Sequence, residues 1–175
     1  MKMTIRRSRS NRTEQMVAAT SEWVPSASGR RDVEAALADA PLFEGMSGDD
    51  IAAALAEFHE CRFPGGRRIV LEGLRGSDFF IVVAGSAAVL VDGWRVATLE
   101  AGDFFGEIAV LGDGLRSASV RAETPLRCVV LPNGKLEGMM LAHPQLGLNL
   151  IRTVIGRFLE VAGGRQPPAI ELASA

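Results

Sequence analysis

The sequence predicts an α+β fold: an eight-stranded antiparallel β-roll, jelly-roll-like, with helices flanking it on its N-terminal and C-terminal sides. Three observations predict it. From Glu60 to Leu131, short β-rich runs are punctuated by turn signals about every 8 to 12 residues. Ahead of that region, and again after Pro132, apolar residues recur at helical spacing instead. At 175 residues, 47% of them apolar, the chain suits one domain with a sizeable core and not two full domains.

Taken in order, residues 1–31 are rich in Arg, Ser and Thr without sustained apolar periodicity and are read as a disordered basic tail. The domain proper is expected over residues 32–163, opening with a helical lead-in at 32–59. Its second helix carries Ser47 as N-cap, with Asp49 and Asp50 in the first turn, where carboxylates complement the helix dipole. The β-roll follows at 60–131, in runs such as CRF, RRIVLEG, DFFIVVAG, SAAVLVDG, WRVATLEAG, SASVRA and LRCVVL. Asp92-Gly93 between SAAVLV and WRVATL is the clearest hairpin turn, because both residues tolerate positive φ. Helices return over 133–162. In the longer one Leu146, Leu150, Val154, Phe158 and Val161 share a face that Leu148, Ile151, Ile155 and Leu159 widen. So broad an apolar surface calls for two partners, the β-core and a second chain. Residues 164–175 read as a Gly/Pro-marked flexible tail.

Several function classes are set aside on composition. No apolar run approaches the ~20 residues that span a bilayer, so no membrane association is expected. Net charge is −2, which offers no bulk attraction to nucleic acid. Cys61 and Cys128 lie in apolar stretches without CxxC spacing and are expected to be buried, reduced thiols of a cytoplasmic protein. The two histidines, His59 and His143, lack metal-ligand spacing, and no nucleophile and base are paired. Neither a metal, a cofactor nor an enzymatic activity is expected.

One stretch stands apart. In FFGEIAVLGDGLRSASVRA, from Phe104 to Ala122, Glu107 and Arg116 lie among small and apolar residues. Gly106 permits a close backbone approach, and GEIAVL can start a helical turn whose free N–H groups attract an anion. Arg116 is read as opening the next strand, beside Ser117 and Ala118, which leave room around a guanidinium. A planar fork at a partly buried position suits a phosphate, and a carboxylate nearby accepts from hydroxyls. Phosphate and sugar hydroxyl together describe a nucleotide; a plain structural ion pair between Glu107 and Arg116 is the competing explanation.

FGEIAVLGDGLRSASVRA resembles the phosphate-binding cassette of the cyclic nucleotide-binding domain family, the family of the catabolite activator protein and of protein kinase A regulatory subunits. The resemblance runs over roughly residues 41 to 162, through PLF, GRRIVLEG, FFIVVAGSAAVLVDG and GDFFGEIA in order. It implies that Glu107 accepts the ribose 2′-hydroxyl and that Arg116 pairs with the cyclic phosphate of cAMP or cGMP. It further implies that Gly106, Ile108 and Ala109 offer backbone N–H groups and that Ser117, next to Ala118, contacts the phosphate or the base. Leu115 stands where the family commonly has Pro. The expected role is a stand-alone regulatory module that senses a cyclic nucleotide and signals through its C-terminal helix to a protein effector, with that helix also able to join two copies as a homodimer. Direct DNA binding is not expected, since only about a dozen residues follow Val161 and a helix-turn-helix does not fit there. The alternative is a degenerate scaffold or dimerisation domain of the same shape that binds no ligand.

Overall fold

The computed structural model describes residues 22–23, 30–132 and 134–164. Two antiparallel sheets make the roll. The first has five strands in the order β1 (Glu22–Trp23), β2 (His59–Phe63), β9 (Leu126–Leu131), β4 (Phe79–Ala84) and β7 (Phe104–Phe105). The second has four, β3 (Arg68–Val70), β8 (Ser119–Ala122), β5 (Ala87–Val91) and β6 (Trp94–Leu99). The roll's eight expected strands are β2 to β9. Around them lie α1 (Arg30–Leu37), a 3₁₀ turn at Pro41–Phe43, α2 (Gly48–Leu55), α3 (Glu107–Leu111), α4 (Leu136–Ala142) and α5 (Pro144–Gly164).

β1 departs from the expectation of a disordered segment through residue 31. Glu22 lies opposite Arg62 and Trp23 opposite Cys61, and Arg30 and Arg31 already belong to α1. Two extended residues gain main-chain partners along the edge of β2, a long-range pairing that no local periodicity announces. The rest of that tail, like residues 165–175, lies outside the described residues.

The apolar run of β4 explains the layering. Phe79, Ile81 and Val83 face a core shared with Phe104, Val129 and Leu131 and with the helical residues Leu37, Leu42, Phe43, Leu55, Leu136, Leu146 and Leu150. Their alternates Phe80 and Val82 face the second sheet, in a core with Phe105, Leu126, Cys128, Ile69, Val120 and Leu99. A strand buried on both faces must be apolar at every position, and FFIVVA is. Each such side chain contributes about 1.5–3 kcal/mol by leaving water.

Local signals hold where they were read. Ser47 caps α2, its Oγ accepting from the Asp50 N–H at 3.2 Å. Asp92 and Gly93, with φ of 51° and 81°, make the tight turn between β5 and β6 that pairs Val91 with Trp94. Cys61 and Cys128 face each other across β2 and β9 as buried thiols that form no disulfide. Burial raises the Cys128 thiol far above its ordinary range, which keeps it protonated and unreactive. On the same strand pair, Arg127 donates to both oxygens of Glu60 at 2.8 and 3.0 Å.

The apolar stripe of α5 divides. Leu146 and Leu150 enter the core and Val154 packs at its margin, whereas Phe158 is exposed together with Leu148, Ile151, Ile155 and Leu159. The side chain of Val161 lies outside the described residues. Near the base of the helix, Asn149 is buried; its Nδ2 donates to the carbonyls of Leu42 and Glu44 at 3.1 and 2.8 Å, pinning α5 to the 3₁₀ turn.

Candidate functional site

β7 ends at Phe105, and the chain then turns through Gly106 into the short helix α3. Gly106 has φ of 94°, and a Cβ there would stand 2.6 Å from the Asp78 carbonyl and 2.7 Å from Nη1 of Arg116. Only glycine meets both the dihedral and the space. From the opposite side, the segment 73–76 pairs with the segment 114–116: Gly76 N–H donates to Gly114 O, Arg116 N–H to Leu74 O and Gly73 N–H to Arg116 O. A Cβ on Gly76 would fall on the Arg116 guanidinium itself. Two glycines 30 residues apart therefore make the slot that holds one arginine.

Within that slot Arg116 is 6% exposed. Its Nη1 donates to the carbonyls of Asp78 and Gly106 at 2.9 and 3.2 Å, and its guanidinium stands 5.9 Å from the centre of the Phe80 ring. Phe80 in turn stacks on Phe105 at 4.6 Å, so the floor under the arginine is a rigid aromatic pair. Arg116 does not open a strand, as the sequence suggested. It precedes β8, in a segment bridged to Arg75 through Leu115, because its carbonyl and N–H are both taken by the 73–74 backbone.

Glu107 is also 6% exposed. Burial raises its carboxyl pKa above the ordinary carboxylate range. Opposing that are a hydrogen bond accepted from its own backbone N–H, then the positive charge of Arg157, then that of Arg116. The stronger of the two cationic influences thus comes from α5, not from the cassette arginine. Ala109 is buried beneath the turn, Ile108 and Ser117 are exposed, and Ala118 is half-buried. The sequence-read residues from 106 to 109 and from 116 to 118 are therefore brought to one place, Gly106 touching Arg116 directly. The loop between them is shaped without proline: the Leu115 N–H donates to Oδ1 of Asp113 at 2.9 Å, a turn that Pro could not make.

Three contributors were not read from the sequence. Gly76 carries no motif of its own. Asn149 and Arg157 look like ordinary polar positions of an amphipathic helix, yet Arg157 Nη1 donates to the Phe104 carbonyl at 2.7 Å and Nη2 meets the Asp103 carboxylate at 3.1 Å. Among the described residues, no group of three or more His, Cys, Asp or Glu could hold a metal ion, and no helix is long and apolar enough to cross a membrane.

A two-sheet antiparallel roll, a glycine-led turn carrying a buried carboxylate and arginine, and a long helix after the roll define a cyclic nucleotide-binding type of domain. Residues 60–143 match the family model described as Cyclic nucleotide-binding domain, and the chain carries a domain of this family. It is 35% identical over 104 residues to a cAMP-dependent protein kinase regulatory subunit of Emericella nidulans, the match covering 58% of this chain and 25% of the relative. It is 39% identical over 107 residues to a cGMP-dependent protein kinase of Toxoplasma gondii, covering 58% of this chain and 11% of that one. Among solved structures, the regulatory domain of Toxoplasma gondii PKA, crystallised with cAMP, superposes with a TM-score of 0.61 at 25% identity, covering 71% of this chain and 49% of that one. The matched region spans only a minor part of the curated relatives.

Proposed function

We propose that the chain is a cyclic-nucleotide-binding regulatory module that takes cAMP or cGMP at the Gly106–Ala118 cassette and passes occupancy through α5 to a partner protein. One observation carries the reading: a carboxylate and a guanidinium, each 6% exposed, are held at one turn by glycines whose replacement would collide with the arginine or its neighbours. Holding charges out of water costs free energy that packing alone does not return, and a ligand with a phosphate and sugar hydroxyls matches both groups. Arg116 pairs with the cyclic phosphate, Glu107 accepts the ribose hydroxyl, and the backbone N–H groups of 106, 108 and 109 complete the cradle. Ser117 is placed to contact the phosphate or base. The module binds and does not catalyse, and its two cysteines, outside any disulfide, fit a reducing cytoplasm.

Thermal unfolding across a series of cAMP and cGMP concentrations tests this. A ligand that binds only the folded state stabilises by about 2.7 kcal/mol at a hundredfold excess over Kd, so the midpoint climbs with concentration. A flat midpoint for both nucleotides rejects the reading. A second reading, a scaffold that pairs subunits without ligand, is favoured by a specific feature. Leu148, Ile151, Ile155 and Phe158 are exposed at alternating spacings of three and four residues, the period of a coiled-coil seam. Light scattering after size exclusion tests it: a dimer that Ile155→Glu converts to monomer supports subunit pairing, and a monomer throughout removes it.

A further inference from the structure

Beyond Val154, no apolar side chain from Ile155 to Leu159 is buried, so packing does not hold that stretch of α5 to the roll. The tie there is polar, and it falls on Arg157. One planar group makes three contacts at once. Nη1 donates to the Phe104 carbonyl at 2.7 Å, Nη2 reaches Oδ1 of Asp103 at 3.1 Å, and the guanidinium lies 4.5 Å from the centre of the Phe104 ring. The ion pair alone would be worth little, since the two side chains are 31% and 40% exposed. The main-chain bond and the ring contact are different in kind, because Phe104 is fully buried and fixed in β7. β7 leads directly into Gly106 and Glu107. Whatever moves Arg157 is felt two residues from the cassette.

We propose that Arg157 is the positioning residue through which α5 acts on the pocket: one guanidinium pins the outer half of the helix to β7 and supplies a fixed positive charge to the Glu107 side of the site. The inference rests on the reading of that site as a cyclic-nucleotide pocket. Arg116 approaches Glu107 from the segment ahead of β8 and Arg157 from α5. Asp103, ahead of β7, is engaged by Arg157, and half-buried Asp78, ahead of β4, gives its main-chain carbonyl to Arg116. α4, packed on α3, carries Glu137 in an exposed position. With Arg157 in place, its charge opposes the burial that raises the Glu107 pKa and so helps Glu107 stay the carboxylate that accepts a ribose hydroxyl. When α5 swings away the charge leaves with it, burial then favours the protonated acid, and the pocket loses its acceptor. Ligand and helix position are thereby coupled in both directions, since a nucleotide that needs the ionised acid binds the pinned state better.

The test uses the full chain with Arg157→Met, which keeps the length and apolar bulk of the side chain, and Arg157→Lys, which keeps the charge but not the fork. Titration of the Glu107 side-chain carboxyl by carbon NMR, without ligand, reads the electrostatic half. The midpoint is expected to rise in the Met variant and return toward wild type in the Lys variant. Amide exchange over residues 155–160 reads the pinning half, and both variants should exchange faster there while the β-roll is unchanged. With cAMP, the Met variant should lose affinity several-fold more at mildly acid than at mildly alkaline pH. Identical Glu107 titrations in all three proteins, or exchange that rises equally in roll and helix, overturns the proposal. If wild type takes up neither nucleotide while the ligand-free measurements behave as expected, the pocket reading fails and the link between α5 and Glu107 stands.

Discussion

Replacing Glu107 by Gln should make the protein more stable and a poorer binder. The carboxyl is 6% exposed, and burial raises its pKa above the ordinary range. A group whose folded pKa lies above its unfolded value holds its proton more tightly in the folded state. Stability is then greatest at low pH and falls as pH rises from the unfolded value, 4.5, through the raised folded one. Gln has the same shape, can accept from the same backbone N–H and carries no charge to desolvate, so the melting point of the variant should exceed that of wild type by a margin that grows with pH and then levels off. Affinity should move the other way. A charge-assisted hydrogen bond is worth roughly 1.5–3 kcal/mol, so cAMP or cGMP binding should weaken about ten- to hundredfold. Circular dichroism melts across pH and calorimetric titration of both proteins supply the two readings. If Glu107 were half of a structural ion pair with Arg116, the Gln variant would melt lower at neutral pH, and that result would refute the reasoning.

Three further outcomes follow from the geometry. Gly106→Ala should cost about 1–3 kcal/mol in urea unfolding through the positive φ alone and more through the collision with Asp78 and Arg116, abolishing nucleotide binding; a near-neutral variant would contradict the tight turn. Asn149→Ala removes the two hydrogen bonds that Nδ2 donates to the Leu42 and Glu44 carbonyls and should cost about 1–3 kcal/mol while loosening the base of α5 in amide exchange. Glu60, whose pKa is lowered chiefly by its hydrogen bonds from Arg127, should contribute stability that is full above its unfolded pKa of 4.5 and is lost as pH falls through the depressed folded one. Glu60→Gln should therefore be less stable than wild type at neutral pH and equal to it in strong acid, and parallel curves would remove the ion pair from the account.

What the sequence made legible is what lies close along the chain. Ser47 and Asp50, Asp92 and Gly93, and the apolar β-rich run of β4 are short-range patterns, and each is found as read. Glu107 and Arg116 were legible because only eight residues separate them, in one short helical turn and the loop that follows it. Gly76, Asn149 and Arg157 were not, because their partners lie 40 to 107 residues away and a polar residue on an amphipathic helix does not declare which surface it meets. The same limit hid β1, two residues long and paired across some 40 residues to β2. The apolar stripe of α5 showed that burial was needed, and the fold supplies it for Leu146 and Leu150 but not for Ile155 or Phe158.

The central claim is that the cassette takes a cyclic nucleotide through Arg116. Calorimetric titration of the purified chain with cAMP and with cGMP, beside Arg116→Ala assayed well below its own melting temperature, tests it most directly. The account predicts saturable binding of at least one nucleotide, weakened at least about a hundredfold in the variant, as expected when a buried charged contact worth roughly 3–5 kcal/mol is lost. A folded wild type that releases no heat of binding with either nucleotide, or a variant that binds as well as wild type, would contradict it.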